Sequence, residues 1–134
     1  MAYLKEISIQ SRERAELLKL DAQVEEAIAE SGIDEGVCYV YVPHTTAGVT
    51  INEGADPDVA NDLLARLADL VPLRAGYAHA EGNADSHIKA TLVGNSAMVF
   101  VKDGRPLLGT WQSFFFCEFD GPRSRRVLVR VAEG

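Results

Sequence analysis

One tryptophan, two methionines and two cysteines are all that this chain of 134 residues holds of those types. So few thiols allow one disulfide at most and leave no Cys-x-x-Cys element for redox work or zinc. Cys38 and Cys117 both fall inside apolar, strand-like runs and read as small buried hydrophobes in a reducing compartment. No apolar stretch is long enough to span a bilayer, and the segment Met1 to Ile7 carries charges where a secretory signal would be apolar. Positive charge is scarce as well: 13 Lys and Arg stand against 20 Asp and Glu, a net charge of −7. Such a chain repels polyanions, so nucleic acid and anionic membranes are excluded as general partners. Gly-x-Gly-x-x-Gly, Walker, Gly-x-Ser-x-Gly and kinase motifs are missing, which argues against dinucleotide oxidoreductases, nucleoside triphosphatases and serine esterases. The expected address is the cytoplasm.

What is present reads as one domain over residues 1–134. Leu4 to Gln10 and Glu16 to Leu20 alternate like strands, broken around Ser11 to Arg14. Asp21 can cap a helix that buries Val24, Ala27 and Ile28 and stops at Ser31-Gly32. Gly36 to Pro43 is rich in aromatic and β-branched residues, which predicts a central strand. Asp56-Pro57 starts a second helix, with Val59, Leu63, Leu67 and Leu70 as its buried stripe and an end before Pro72. A third helix runs from Ala84 to Gly94, with Ile88 and Leu92 inward and His87 and Lys89 on the rims. Met98 to Val101 reads as a strand, Lys102-Asp103-Gly104 as a hairpin turn, Leu107 to Phe119 as one long return strand and Arg126 to Val131 as the last. Early strands, middle helices and late strands predict an α+β fold: a single domain with a mainly antiparallel sheet packed with two or three helices.

Chemistry-bearing residues sit near the ends of these elements. Gly109-Thr110-Trp111-Gln112 combines a permissive backbone, a hydroxyl, an indole and a carboxamide, which suits the wall of a ligand site as well as a core. The three histidines each have polar company: His44 has Thr45 and Thr46, His79 has Glu81, and His87 has Asp85. His44, His79, His87 and Asp85 are candidate ligands for a divalent metal, zinc or magnesium, although no His-x-x-x-His pair demands one. Asn52, Glu53, Asp56 and Asp58 form a second oxygen-rich cluster for a hard cation, in competition with simple helix capping. Lys89, Arg105, Arg123 and Arg125 are candidate phosphate contacts.

His44-Thr45-Thr46-Ala47, Asn52-Glu53 with Asp56-Pro57, Glu81-Gly82-Asn83, His87-Ile88-Lys89 and the stretch from Ser96 through Gly104 to Trp111-Gln112 together resemble the YjbQ family. The match covers nearly the whole chain in order and is most specific from Ser96 to Phe114, where Phe114 replaces the usual branched aliphatic. The resemblance implies a homotrimer whose polar motifs share a cleft near the subunit interface. It also implies a secondary thiamine-phosphate synthase, which joins hydroxymethylpyrimidine diphosphate to a thiazole phosphate and releases pyrophosphate. On that expectation His44, His87 and Glu53 are catalytic, with Asp56 and Asp85 as further metal candidates. Thr45, Thr46, Asn52, Asn83, Lys89, Arg105, Thr110, Trp111 and Gln112 bind the small phosphorylated substrate. Two alternatives stand beside it: a metal-dependent hydrolase of a small phosphorylated or cyclic substrate, and a non-catalytic trimeric ligand-binding protein.

Overall fold

A computed structural model describes residues 2–134. The order is β1 (Ala2–Gln10), β2 (Glu16–Lys19), α1 (Asp21–Ser31), β3 (Gly36–Tyr41), β4 (Ala47–Glu53), α2 (Pro57–Leu70), α3 (Ala84–Val93), β5 (Ser96–Lys102), β6 (Arg105–Pro106), β7 (Gln112–Glu118) and β8 (Ser124–Glu133). Five strands form one sheet in the order β1-β8-β3-β5-β6, and three form a second in the order β2-β7-β4. All the pairings are antiparallel. The fold is α+β, and β3 occupies the centre of its sheet as its composition predicts.

Alternation sets the layers. Cys38, Val40, Val99, Val101, Val127 and Val129 point from the larger sheet into a core shared with Val24, Ala27 and Ile28 of α1 and with Val49, Phe114 and Phe116 of the smaller sheet. The next residues along β7, Phe115 and Cys117, turn the other way and pack with Ala90, Phe119, Leu67 and Val93 beneath α2 and α3. A strand covered on both faces reads as a continuous apolar run, which is why Phe114, Phe115 and Phe116 are all buried.

Several expectations change. Asp21 does not cap α1: Leu20 is the N-cap, and the Asp21 carboxylate instead accepts the Phe114 backbone N–H at 2.8 Å, tying the helix to the smaller sheet. Strand β4 is absent from the sequence reading because Ala47 and Gly48 dilute its β signal. Gly48 is small there of necessity, since a Cβ would lie 2.5 Å from the Gly94 carbonyl oxygen. The expected long strand from Leu107 to Phe119 shrinks to β7 alone, since residues 107–111 are not strand and lead from β6 in the larger sheet to β7 in the smaller one. Between them the Gln112 N–H donates to the Gly109 carbonyl, and the Gln112 side chain accepts the Gly109 N–H, which turns the chain. The Asp103-Gly104 hairpin is as predicted, with φ of 53° and 72°.

The helices differ more. Asp56 caps α2 through the Asp58 N–H at 2.9 Å with Pro57 behind it, as predicted, but the expected buried stripe is only half-buried and Leu70 is exposed. Helix α3 is inverted: Ile88 and Leu92 face outward, while Asp85, Ser86, Lys89 and Ala90 face inward. The reason is ionic. Asp85 is matched by Lys89 one turn on at 3.1 Å and by Arg14 at 3.2 Å, so its charge is neutralised within the protein.

Candidate functional site

Strand β3 ends at Tyr41, and the loop Pro43-His44-Thr45-Thr46 crosses from the larger sheet to the smaller one at β4. Two interactions fix it. The Arg126 backbone N–H of β8 donates to Nε2 of His44 at 3.0 Å. The guanidinium of Arg125, the next residue back and pointing into the protein, donates to the Thr46 hydroxyl at 2.8 Å and to both oxygens of Glu118. Ser11 adds its hydroxyl to Glu118 at 2.6 Å. Burial alone would push the Glu118 carboxyl up, but the hydrogen bonds from Arg125, Ser11 and the Asp120 N–H outweigh it and hold it below the ordinary carboxylate value. His44 is shifted down by burial and then by the Arg125 charge. A buried ion pair therefore lies directly under the loop.

The opposite wall comes from α3 and the segment before it. Ser86 donates its hydroxyl to the Phe119 carbonyl and pins the first turn of α3 to the end of β7. Asp85 is fully buried; desolvation favours its neutral form, yet Arg14 and Lys89 together keep its carboxyl below the usual value. With that turn fixed, His87 meets His79 edge to face at a ring-centroid distance of 5.3 Å. Asn83 donates to Asp120 at 2.8 Å, and Arg123 closes on the same carboxylate at 2.9 Å.

Between the two walls lies an open cleft of about 490 Å³. His44, Thr45 and Thr46 line one side, His79, Glu81, Asn83 and His87 the other, and Asp120, Arg123 and Arg125 the end. A second hollow of about 470 Å³ adjoins it across the same two imidazoles, His44 and His87. Hydrogen-bond donors, two guanidiniums that are each also paired with a carboxylate, and imidazoles thus face one small space, suited to polar contacts with an oxygen-rich ligand and to proton movement beside it.

Of the residues singled out from sequence, this cleft gathers His44, Thr45, Thr46, His79, Glu81, Asn83 and His87, with Arg123 and Arg125 of the candidate phosphate contacts. It does not gather the others. Lys89 is buried on Asp85. Glu53 and Asp56 line a separate hollow with Lys19, and Asn52 a third beside Leu63 and Cys117. Glu53 turns its carboxylate on the Ala55 N–H at 2.8 Å. Arg105 stands exposed in β6, Thr110 and Trp111 form the exposed turn before β7, and Gln112 is the exposed first residue of β7. Ala47 pairs with Glu118 at one end of the smaller sheet and Glu53 with Gln112 at the other. At about 3.3 Å per residue these ends are roughly 20 Å apart. Sequence reasoning missed Asp120, Glu118, Ser11 and Arg14. Glu118 carried a usable signal, a lone charge inside the run Phe114 to Phe119.

Among the described residues no three His, Cys, Asp or Glu side chains are grouped so as to hold a metal ion. Both Asp85 oxygens are engaged by Arg14, and the Nε2 lone pair of His44 is taken by a peptide N–H.

The sequence profile of a family described as UPF0047 protein YjbQ-like matches residues 5–134. A UPF0047 protein of Methanocaldococcus jannaschii is 50% identical over 123 residues, covering 92% of this chain and 89% of its own. The UPF0047 protein YugU of Bacillus subtilis is 45% identical over 129 residues, covering 96% and 98%. The crystal structure of an uncharacterized conserved protein of the YjbQ/UPF0047 family from Clostridium acetobutylicum superposes with a TM-score of 0.94 at 44% identity, over 96% of this chain and 99% of that one. A protein of unknown function from Sulfolobus solfataricus gives 0.96 at 30% identity, over 100% and 99%.

Proposed function

This chain belongs to the UPF0047, YjbQ-like family, and from that premise we propose that it is a secondary thiamine-phosphate synthase. The observation that carries the reading is the meeting of His44 and His87 with Arg123 and Arg125 around one cleft. In the reaction the carbon–oxygen bond of hydroxymethylpyrimidine diphosphate breaks and pyrophosphate leaves with the electron pair. The thiazole ring nitrogen gives its own lone pair to the same carbon, so no base is needed to create the nucleophile. What the protein must supply is stabilisation of charge growing on the leaving oxygens and alignment of the two rings. Arg125, held by Glu118, and the Thr45 and His44 side of the cleft suit the first task. His87, in contact with His79, is placed to orient the pyrimidine or to protonate the departing diphosphate. Any divalent cation that takes part would enter with the diphosphate.

Purified protein given both phosphorylated precursors is expected to release pyrophosphate only when the two are present together. A His87→Ala change should lower turnover roughly 100-fold or more, within the range for loss of a proton-transfer or orienting group. Phosphate or pyrophosphate released from the pyrimidine diphosphate alone would replace this reading with a hydrolase. Binding without turnover would replace it with a ligand-binding protein.

A further inference from the structure

A peptide N–H can only donate, and the Arg126 N–H reaches Nε2 of His44 at 3.0 Å. That nitrogen is therefore the acceptor, and the ring hydrogen resides on Nδ1. A second proton on the ring would set N–H against N–H. Burial and the neighbouring Arg125 guanidinium oppose it too, by lowering the pKa of the imidazole. Among the described residues nothing accepts a hydrogen bond from Nδ1, although the ring borders both hollows of the site. His87 has no such backbone clamp and touches a second imidazole instead. The clamp on His44 is rigid on both sides: Arg126 is held within β8, whose neighbour Arg125 is anchored on Glu118 and Thr46.

We infer that His44 is a fixed Nδ1–H donor to a phosphoryl oxygen of the ligand, a binding and positioning group rather than a general base or a metal ligand. The assignment of the donor rests on the hydrogen-bond pattern alone; the phosphoryl identity of the acceptor rests on the synthase reading. A fixed donor needs no reorganisation as charge builds on the oxygen it faces, which is where such a group contributes most. It also divides the labour in the cleft, leaving proton movement to His87.

The histidine tautomer can be read directly from nitrogen-15 resonances of histidine-labelled wild-type protein at neutral pH. The expected pattern is a protonated Nδ1 and an unprotonated Nε2 for His44; the reverse tautomer, or a doubly protonated ring, overturns the inference without any variant. Inorganic pyrophosphate titrated calorimetrically tests the acceptor. His44→Asn places an amide donor near the Nδ1 position and is expected to keep affinity within about fivefold. His44→Gln places its donor near the Nε2 position and should lose roughly 10- to 100-fold, the range for a hydrogen bond to a charged group. Equal affinity in wild type and the Gln variant overturns the donor role while leaving the synthase reading intact. A wild-type protein with the expected tautomer but no affinity for pyrophosphate overturns the phosphoryl assignment and the synthase reading together.

Discussion

At the scale of single residues the molecule concentrates its electrostatic risk in two carboxylates, Glu118 and Asp85, both with no exposed surface. Each is stable as an anion only because its cations are fixed beside it. Arg125→Met would strand the Glu118 charge, and the expected cost is about 3–5 kcal/mol, measurable as a fall in urea midpoint. The pH dependence follows from the same pairs. Both carboxyls titrate below their ordinary values of 4.5 and 3.8, so the stability they contribute is complete above those values and is lost as pH falls through their lower native values. Thermal melts from neutral pH into acid should show a steep loss of stability below about pH 4.5, shallower in Glu118→Gln. Cysteine behaves as the composition suggests. Burial pushes the Cys38 thiol up to about 11 and Cys117 up to about 12, so neither should react with an aromatic disulfide reagent until the protein is unfolded.

At the scale of elements, position depends on small residues and caps. Gly48 in β4 lies against the C-terminal end of α3, where Gly94 accepts the Val49 N–H at 3.1 Å. A methyl group at 48 would meet the Gly94 carbonyl at 2.5 Å and must displace the helix that carries His87. Gly48→Ala is therefore expected to lower the melting temperature and to weaken pyrophosphate binding together, by about 1–3 kcal/mol in stability as for other overpacked sites. Gly104→Ala, at a φ of 72° but remote from the cleft, should cost about 1–2 kcal/mol of stability and leave binding unchanged.

The elements also show what the sequence discloses. Helix starts and stops were legible because Pro57, Gly32 and Gly94 act locally, and the Asp103-Gly104 hairpin was legible for the same reason. The orientation of α3 was not, since it is decided by Arg14, distant in sequence, and the apolar Ile88 and Leu92 pointed the other way. The site divides likewise. His44, His79 and His87 were legible as polar groups at element ends, whereas the separation of Trp111 and Glu53 from them depends on strand register. Register is a property of pairing and is invisible in a list of motifs.

At the scale of the whole molecule, the outer face of the larger sheet is the conspicuous feature. Tyr39, Tyr41, Met98 and Phe100 are each exposed by 44–57%, and Tyr39 pairs directly with Met98. Soluble chains seldom leave so much aromatic and aliphatic surface contiguous and uncovered. Tyr41 lies three residues before His44 and opposite Leu128, two residues beyond Arg126, so the patch runs to the lip of the cleft. We propose that this face joins copies of the chain and sets the cleft near their junction. Tyr39→Glu combined with Phe100→Glu should leave a folded monomer in sedimentation experiments. A variant that still sediments as the wild type does would move the interface elsewhere.

The inverted helix has its own consequence for mutation. Because α3 turns its charges inward and its aliphatic side chains outward, substitution along it is governed in reverse of the usual amphipathic order. A polar residue at 88 or 92 would forfeit little burial, while loss of the carboxylate at 85 would leave the charges of 14 and 89 without their shared partner.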